Sequence, residues 1–149
     1  MHEIEQWIEE AARNQFIKIR KLPHDEAEDI LRELIRRYIK DTNPHSRVLW
    51  MDLIKPIDEY YDRNSVKFTD VVPQKSGACL LIPETDSANE LDLPVFEIDV
   101  TEIEKLINNC FGFEYNVVAK DFSWLVIETD HDQYYVCRDS DFLSGLLSK

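Results

Sequence analysis

The chain has 149 residues, 44% of them hydrophobic and 32% charged, with only 3 Gly and 6 Pro, which fits one ordered globular domain over 1–149 and excludes a disordered or fibrous chain. Its net charge of −13 is unevenly placed, because residues 84–149 hold 15 acidic and 4 basic side chains. Such a field repels a phosphate backbone, so direct nucleic-acid binding is disfavoured, whereas a basic protein is drawn toward it.

The elements begin with a helical pattern in which Ile4, Trp7, Ile8 and Ala11 share a face and Phe16 and Ile19 extend the stripe. Leu22-Pro23 breaks that run. A second helix comes next, with Asp25-x-x-Glu28 resembling a capping box and Ala27, Ile30, Leu31, Leu34, Ile35 and Tyr38 on its apolar face. Arg32, Arg36, Arg37 and Lys40 lie toward the other face, where Glu28 and Glu33 stand at pairing distance, as on a solvated surface. Asp41 to His45, "DTNPH", signals a turn. Beyond it Trp50, Leu53, Ile54, Ile57 and Tyr61 fit helical spacing, but Pro56 interrupts the run. Two readings remain open there: one kinked helix over 47–62, or a short element at Arg47–Leu53 and a separate helical turn at Ile57–Tyr61.

From Ser76 onward the pattern is that of strands. "GACLLIP" is a short apolar run ended by Pro83, and "VFEID", Val95 to Asp99, alternates as an edge or half-buried strand would. The acidic stretch between them, "ETDSANELDLP", reads as an exposed loop. Asp99-x-x-Glu102 offers a helix cap, and Val100, Ile103, Leu106, Ile107 and Cys110 form a stripe that runs up to Gly112. Three strand-like runs come after it at Phe113–Ala119, Ser123–Thr129 and Gln133–Arg138, the middle one apolar on both faces. Phe142, Leu143, Leu146 and Leu147 would close the chain with a short helix. Helices first, then strands around one helix, predict an α+β fold: N-terminal helices packed with a C-terminal, mostly antiparallel sheet.

The acidic N-terminus does not resemble a signal peptide, and no segment approaches the roughly 18 apolar residues of a membrane span, so a cytoplasmic protein without membrane contact is expected. Cys79, Cys110 and Cys137 are widely spaced and read as inert buried thiols rather than a disulfide framework or nucleophiles. No phosphate-binding glycine loop, nucleophile elbow or zinc-binding helix motif is present, and no cofactor or resident metal is expected.

The chemistry-bearing residues that stand out are Asp130, His131 and Asp132, set between two strand-like runs. Asp tolerates tight backbone geometry, so "DHD" suits a hairpin turn or a surface contact. As an alternative, the trio supplies the residue types of a small metal-dependent hydrolase, with a further ligand required from elsewhere. Self-association through exposed aromatic residues such as Tyr134 or Trp50 is a third possibility, and the sequence sets no oligomeric state.

Residues 111–137, "FGFEYNVVAKDFSWLVIETDHDQYYVC", resemble the C-terminal strands of small uncharacterised bacterial proteins, some of which are similar to immunity proteins that neutralise toxins of neighbouring cells. The resemblance covers about a fifth of the chain and rests on a Trp-Leu strand followed by an acidic, His-containing turn. It brings no catalytic residues with it. The expectation is a binding protein rather than an enzyme: an immunity-type inhibitor of a basic, nuclease-like toxin, contacting it through Glu90, Asp92, Asp130, His131 and Asp132.

Overall fold

A computed structural model describes residues 3–39, 57–60, 66–84, 90–110, 113–129 and 133–138. Among them are four α-helices, α1 (Glu3–Asn14), α2 (His24–Tyr38), α3 (Phe68–Val71) and α4 (Ile103–Asn108). The strands are β1 (Ile19–Lys21), β2 (Ile57–Tyr60), β3 (Ala78–Pro83), β4 (Phe96–Asp99), β5 (Tyr115–Ala119), β6 (Trp124–Glu128) and β7 (Tyr134–Arg138). The seven strands form one sheet in the order β1-β4-β3-β5-β6-β7-β2, with every neighbouring pair antiparallel. The fold is α+β, as the order of elements predicts.

Successive side chains of a strand point to opposite faces, and both faces of this sheet are covered. Leu81, Phe96, Ile98, Val117, Trp124 and Val126 pack on one side with Ile8, Ala11 and Ala12 of α1, Phe68 and Val71 of α3, and Ile103 and Leu106 of α4. Leu80, Ile82, Val118, Leu125 and Ile127 pack on the other side with Ala27, Leu31, Leu34, Ile35 and Tyr38 of α2, joined by Leu93 and Val95. Strands β3, β5 and β6 therefore lack an exposed face, which is why their sequences run apolar without alternation.

Helix α1 stops at Asn14, two residues before the expected stripe would continue. Phe16 takes the left-handed conformation (φ 56°) and is 97% exposed, while Ile19 belongs to β1. A strand of three residues is too short to show a period, and its pairing puts β4 between β1 and β3, so of the two readings of "VFEID" the half-buried strand holds and the edge does not. Helix α2 begins at His24 with Pro23 at the N-cap position and no side-chain cap, so Asp25 does not play the capping role its spacing implies. Pro is favoured near a helix start since it has no N–H to leave unsatisfied.

The charged face of α2 is ion-paired as expected. Glu28 accepts from Arg32 at 2.8 Å, and Glu33 accepts from both Arg36 and Arg37. These two guanidinium groups hold the Glu33 carboxyl down at about 2. A carboxyl with a depressed folded pKa stabilises the fold above its unfolded value near 4.5, and that contribution fades as pH falls toward about 2. On a partly exposed helix face it amounts to less than about 1 kcal/mol. The Glu33→Gln variant is accordingly expected to lose slightly less stability than the parent between pH 5 and pH 2 in urea unfolding. Identical acid dependence of the two would show that the pairs contribute nothing.

Ile57–Tyr60 is a strand paired with β7, not a helical turn, so neither reading of 47–62 holds at these four residues. Ile57 and Tyr60 are three apart, which is a helical spacing, and the pairing with β7 overrides it. The "ETDSANELDLP" stretch is only partly an exposed loop: Glu84, Leu93 and Pro94 are buried, and Glu90–Asp92 form a 3₁₀ turn. Asp99 does cap the 3₁₀ turn that leads into α4, as its Oδ1 accepts from the N–H of Thr101 at 2.9 Å and from its hydroxyl at 2.6 Å. The expected turn at 41–45, Lys40, Trp50, Gly112 and the closing helix at 142–147 lie outside the described residues.

Candidate functional site

The register of the sheet aligns four side chains abreast. Tyr115 of β5 stands opposite Glu128 of β6, Glu128 opposite Tyr134 of β7, and Tyr134 opposite Tyr60 of β2. Residues opposite each other in an antiparallel pair share a face, so this row lies on the side covered by α1, α3 and α4. Exposure rises toward the edge of the sheet. Tyr115 is 1% exposed, Glu128 and Tyr134 are each 4% exposed, and Tyr60 is 37% exposed.

A buried carboxyl is costly unless hydrogen-bonded, and here Tyr115 donates its hydroxyl to Glu128 Oε2 at 2.9 Å. Burial, with the adjoining Glu128 carboxyl, pushes the Tyr115 phenol well above its usual range, which keeps it a donor. The ring of Phe113 meets that of Tyr115 edge-on, with centroids 6.2 Å apart.

Over this row opens a cleft of about 500 Å³, bounded by Lys67 and Phe68 at the start of α3, by Glu104, Ile107 and Asn108 of α4, and by Cys110, Phe113, Tyr115, Glu128 and Tyr134. Helix α3 is a single turn whose Phe68 and Val71 are buried. The N–H of Lys67 donates to Asp70 Oδ2 at 2.9 Å, and the Thr69 hydroxyl donates to Glu104 Oε2 at 3.2 Å, which ties α3 to α4. Lys67 itself is exposed. The cleft is thus lined by two carboxyl-bearing residues, Glu104 and Glu128, by aromatic and apolar residues, and by Lys67.

The residues singled out from sequence fall differently. Asp92 is exposed at the end of the 3₁₀ turn of Glu90–Asp92, on the segment that reaches Leu93 and the α2 face. Asp130, His131 and Asp132 lie outside the described residues. Strands β6 and β7 pair as a hairpin, and the N–H of Thr129 donates to the carbonyl of Gln133 at 2.9 Å across its end. Among the described residues, no group of three or more His, Cys, Asp or Glu side chains is placed to hold a metal ion. Tyr134 is in the cleft wall and not an exposed aromatic available to self-association.

Burial raises all three thiols, Cys79 and Cys137 to about 12 and Cys110 to about 11, so they stay protonated near neutrality. Cys110 donates weakly to the Trp7 carbonyl at 3.8 Å. Among the described residues no helix is long and apolar enough to cross a membrane.

Sequence reasoning passes over Glu128 because it ends an apolar run. The signal is its phase: two residues beyond Val126 and four beyond Trp124, it has to share their buried face. A charge in phase with a core is unusual enough to mark a site.

No family model, curated protein or solved structure matches the chain. Its functional assignment rests on the geometry and charge of its own residues.

Proposed function

We propose that this chain is a non-enzymatic cytoplasmic binding module for a basic protein, of the immunity type that holds a nuclease-like toxin inactive. The observation that carries this reading is the concentration of charge: residues 84–149 bear a net charge of −11 out of −13. Within that part Asp92, Asp99 and Asp121 are exposed, and Glu102 and Glu104 are half-buried. A surface of one sign accelerates encounter with an oppositely charged partner and pairs with its Lys and Arg side chains at contact.

The contact residues in this proposal are Glu90, Asp92, Asp130, His131 and Asp132. It is tested by affinity purification of tagged protein from its native cells at low and at high salt, comparing the parent chain with a variant in which Glu90, Asp92, Asp130 and Asp132 are each replaced by Lys. The parent is expected to retain a basic protein at low salt and release it at high salt. The variant should bind that protein at least tenfold more weakly, with a flatter salt dependence. Unchanged affinity and salt response in a folded variant would refute the assignment.

A further inference from the structure

We propose that this chain self-associates as a two-fold dimer through the end of α1, with the Phe16 ring of each copy entering a concavity beside α1 on the other. The turn that presents the ring is closed by backbone alone. The N–H of Phe16 donates to the Arg13 carbonyl at 3.4 Å and that of Ile17 to the Ala12 carbonyl at 2.9 Å, the two bonds of a helix stop whose left-handed position glycine usually fills. Phe16 takes that position with φ 56°, a conformation that crowds its Cβ, and its side chain recovers nothing inside the fold because the residue is 97% exposed. Phe122 has the same backbone sign (φ 62°) and makes a contrast. Its carbonyl accepts from the Tyr38 hydroxyl at 2.6 Å, and its ring centroid lies 5.6 Å from the Arg37 guanidinium. Internal contacts offset the left-handed aromatic at 122 and do not at 16, so compensation at 16 comes from another molecule.

The same end of the molecule offers a place for a ring. A concavity of about 380 Å³ is lined by Ala12, Ile17 and Phe96 and by charged residues of both signs, among them Glu9, Arg13 and Lys18. An aromatic side chain suits this mixture, because its face attracts cations and its body packs on apolar groups. Ile17, which lines the concavity, follows Phe16 directly in the chain. Ring and concavity therefore share one patch, and an isologous contact uses the same patch on both copies.

Charge selects the occupant. Residues 3–21 hold four acidic side chains, the last of them Glu10, and then four basic ones from Arg13 onward, so this stretch is neutral in a chain of net charge −13. Arg20 pairs with Glu97 on β4, and Lys21, which also lines the concavity, is held by Glu5 at 2.7 Å. Glu9, Arg13 and Lys18 have no ion-pair partner among the described residues. A partner of one charge sign would meet like charge on part of this patch. A second copy does not, because two α1 helices related by a two-fold axis run antiparallel and set the acidic half of each against the basic half of the other. Contact through residues 84–149 would instead bring together two surfaces of net charge −11. The patch holds none of the contact residues of the binding role proposed above, so either idea can fail alone.

The test is sedimentation of the full chain over a roughly hundredfold range of concentration, in which the mass is expected to rise from monomer to dimer and no further. The Phe16→Gly variant should dimerise at least tenfold more weakly. In dilute solution, where the chain is monomeric, the same variant should have a higher urea midpoint than the parent, because glycine adopts φ 56° without strain. A purely structural role for Phe16 predicts the opposite sign. Glu9→Lys and Arg13→Glu should each weaken association several-fold, and the chain carrying both should regain it, since the exchanged charges again face their opposites across the axis. A chain that stays monomeric throughout, a dimer that Phe16→Gly leaves intact, an open-ended series of masses, or a double variant no tighter than the single ones would each overturn the proposal.

Discussion

Replacing Leu81 by alanine is expected to lower stability by about 3 kcal/mol, and replacing Leu34 by alanine to cost about as much, each in a single cooperative transition. Leu81 is fully buried in β3, the strand flanked by β4 and β5, on the side covered by α1, α3 and α4. Leu34 is fully buried on α2, against the opposite side of the same sheet. Truncation removes apolar area and leaves a cavity, because neighbours held by strand pairing on both sides relax only partly. The sheet is the shared wall of two apolar layers, so losing either layer exposes the other to water. Urea unfolding should show a lower midpoint with an unchanged slope for both variants, and thermal unfolding a fall in Tm of roughly 10 °C. Two separate transitions in the Leu34→Ala protein would mean that α2 unfolds apart from the sheet.

Phe68→Ala is expected to cost about 3 kcal/mol by itself and to act on the cleft as well. A helix of one turn has no stability of its own, since the nucleation cost is never recovered within four residues. Its position is therefore set by tertiary contacts, chiefly the buried Phe68 and Val71 side chains. Polar ties add to these: Thr69 bonds Glu104, and Lys75 Nζ donates to the Thr69 carbonyl at 3.0 Å. Without the Phe68 ring, α3 should detach at a lower free energy than the sheet unfolds. Amide exchange then accelerates at Val71 and Val72 more than at Leu81. Equal acceleration at all three amides would indicate that α3 opens only with global unfolding.

Legibility in the sequence differs from element to element. Helix α2, the strands β3 to β7 and helix α4 each carry their pattern within a few residues, because burial on one face or both imposes a local period. Strand β1 has three residues and β2 has four, and neither is long enough for a period to separate strand from helix. The acidic stretch Asp130 to Asp132 draws attention because charge between two strand-like runs is conspicuous. Glu128 stays hidden because a single residue's neighbours in sequence do not reveal its neighbours across a sheet.

The sequence by itself determined the α+β class, the amphipathic faces, the paired charges of α2 and the acidic bias of the C-terminal part. These come from spacing and composition, which act over one or two turns or along a single strand. Only the tertiary structure decided the order β1-β4-β3-β5-β6-β7-β2, the interior position of β4 and the row that unites Tyr60, Tyr115, Glu128 and Tyr134. Strand register is a long-range choice, settled by which pairing buries both faces at once and fixed to the residue, because a slip of one position would turn each side chain of the row to the opposite face.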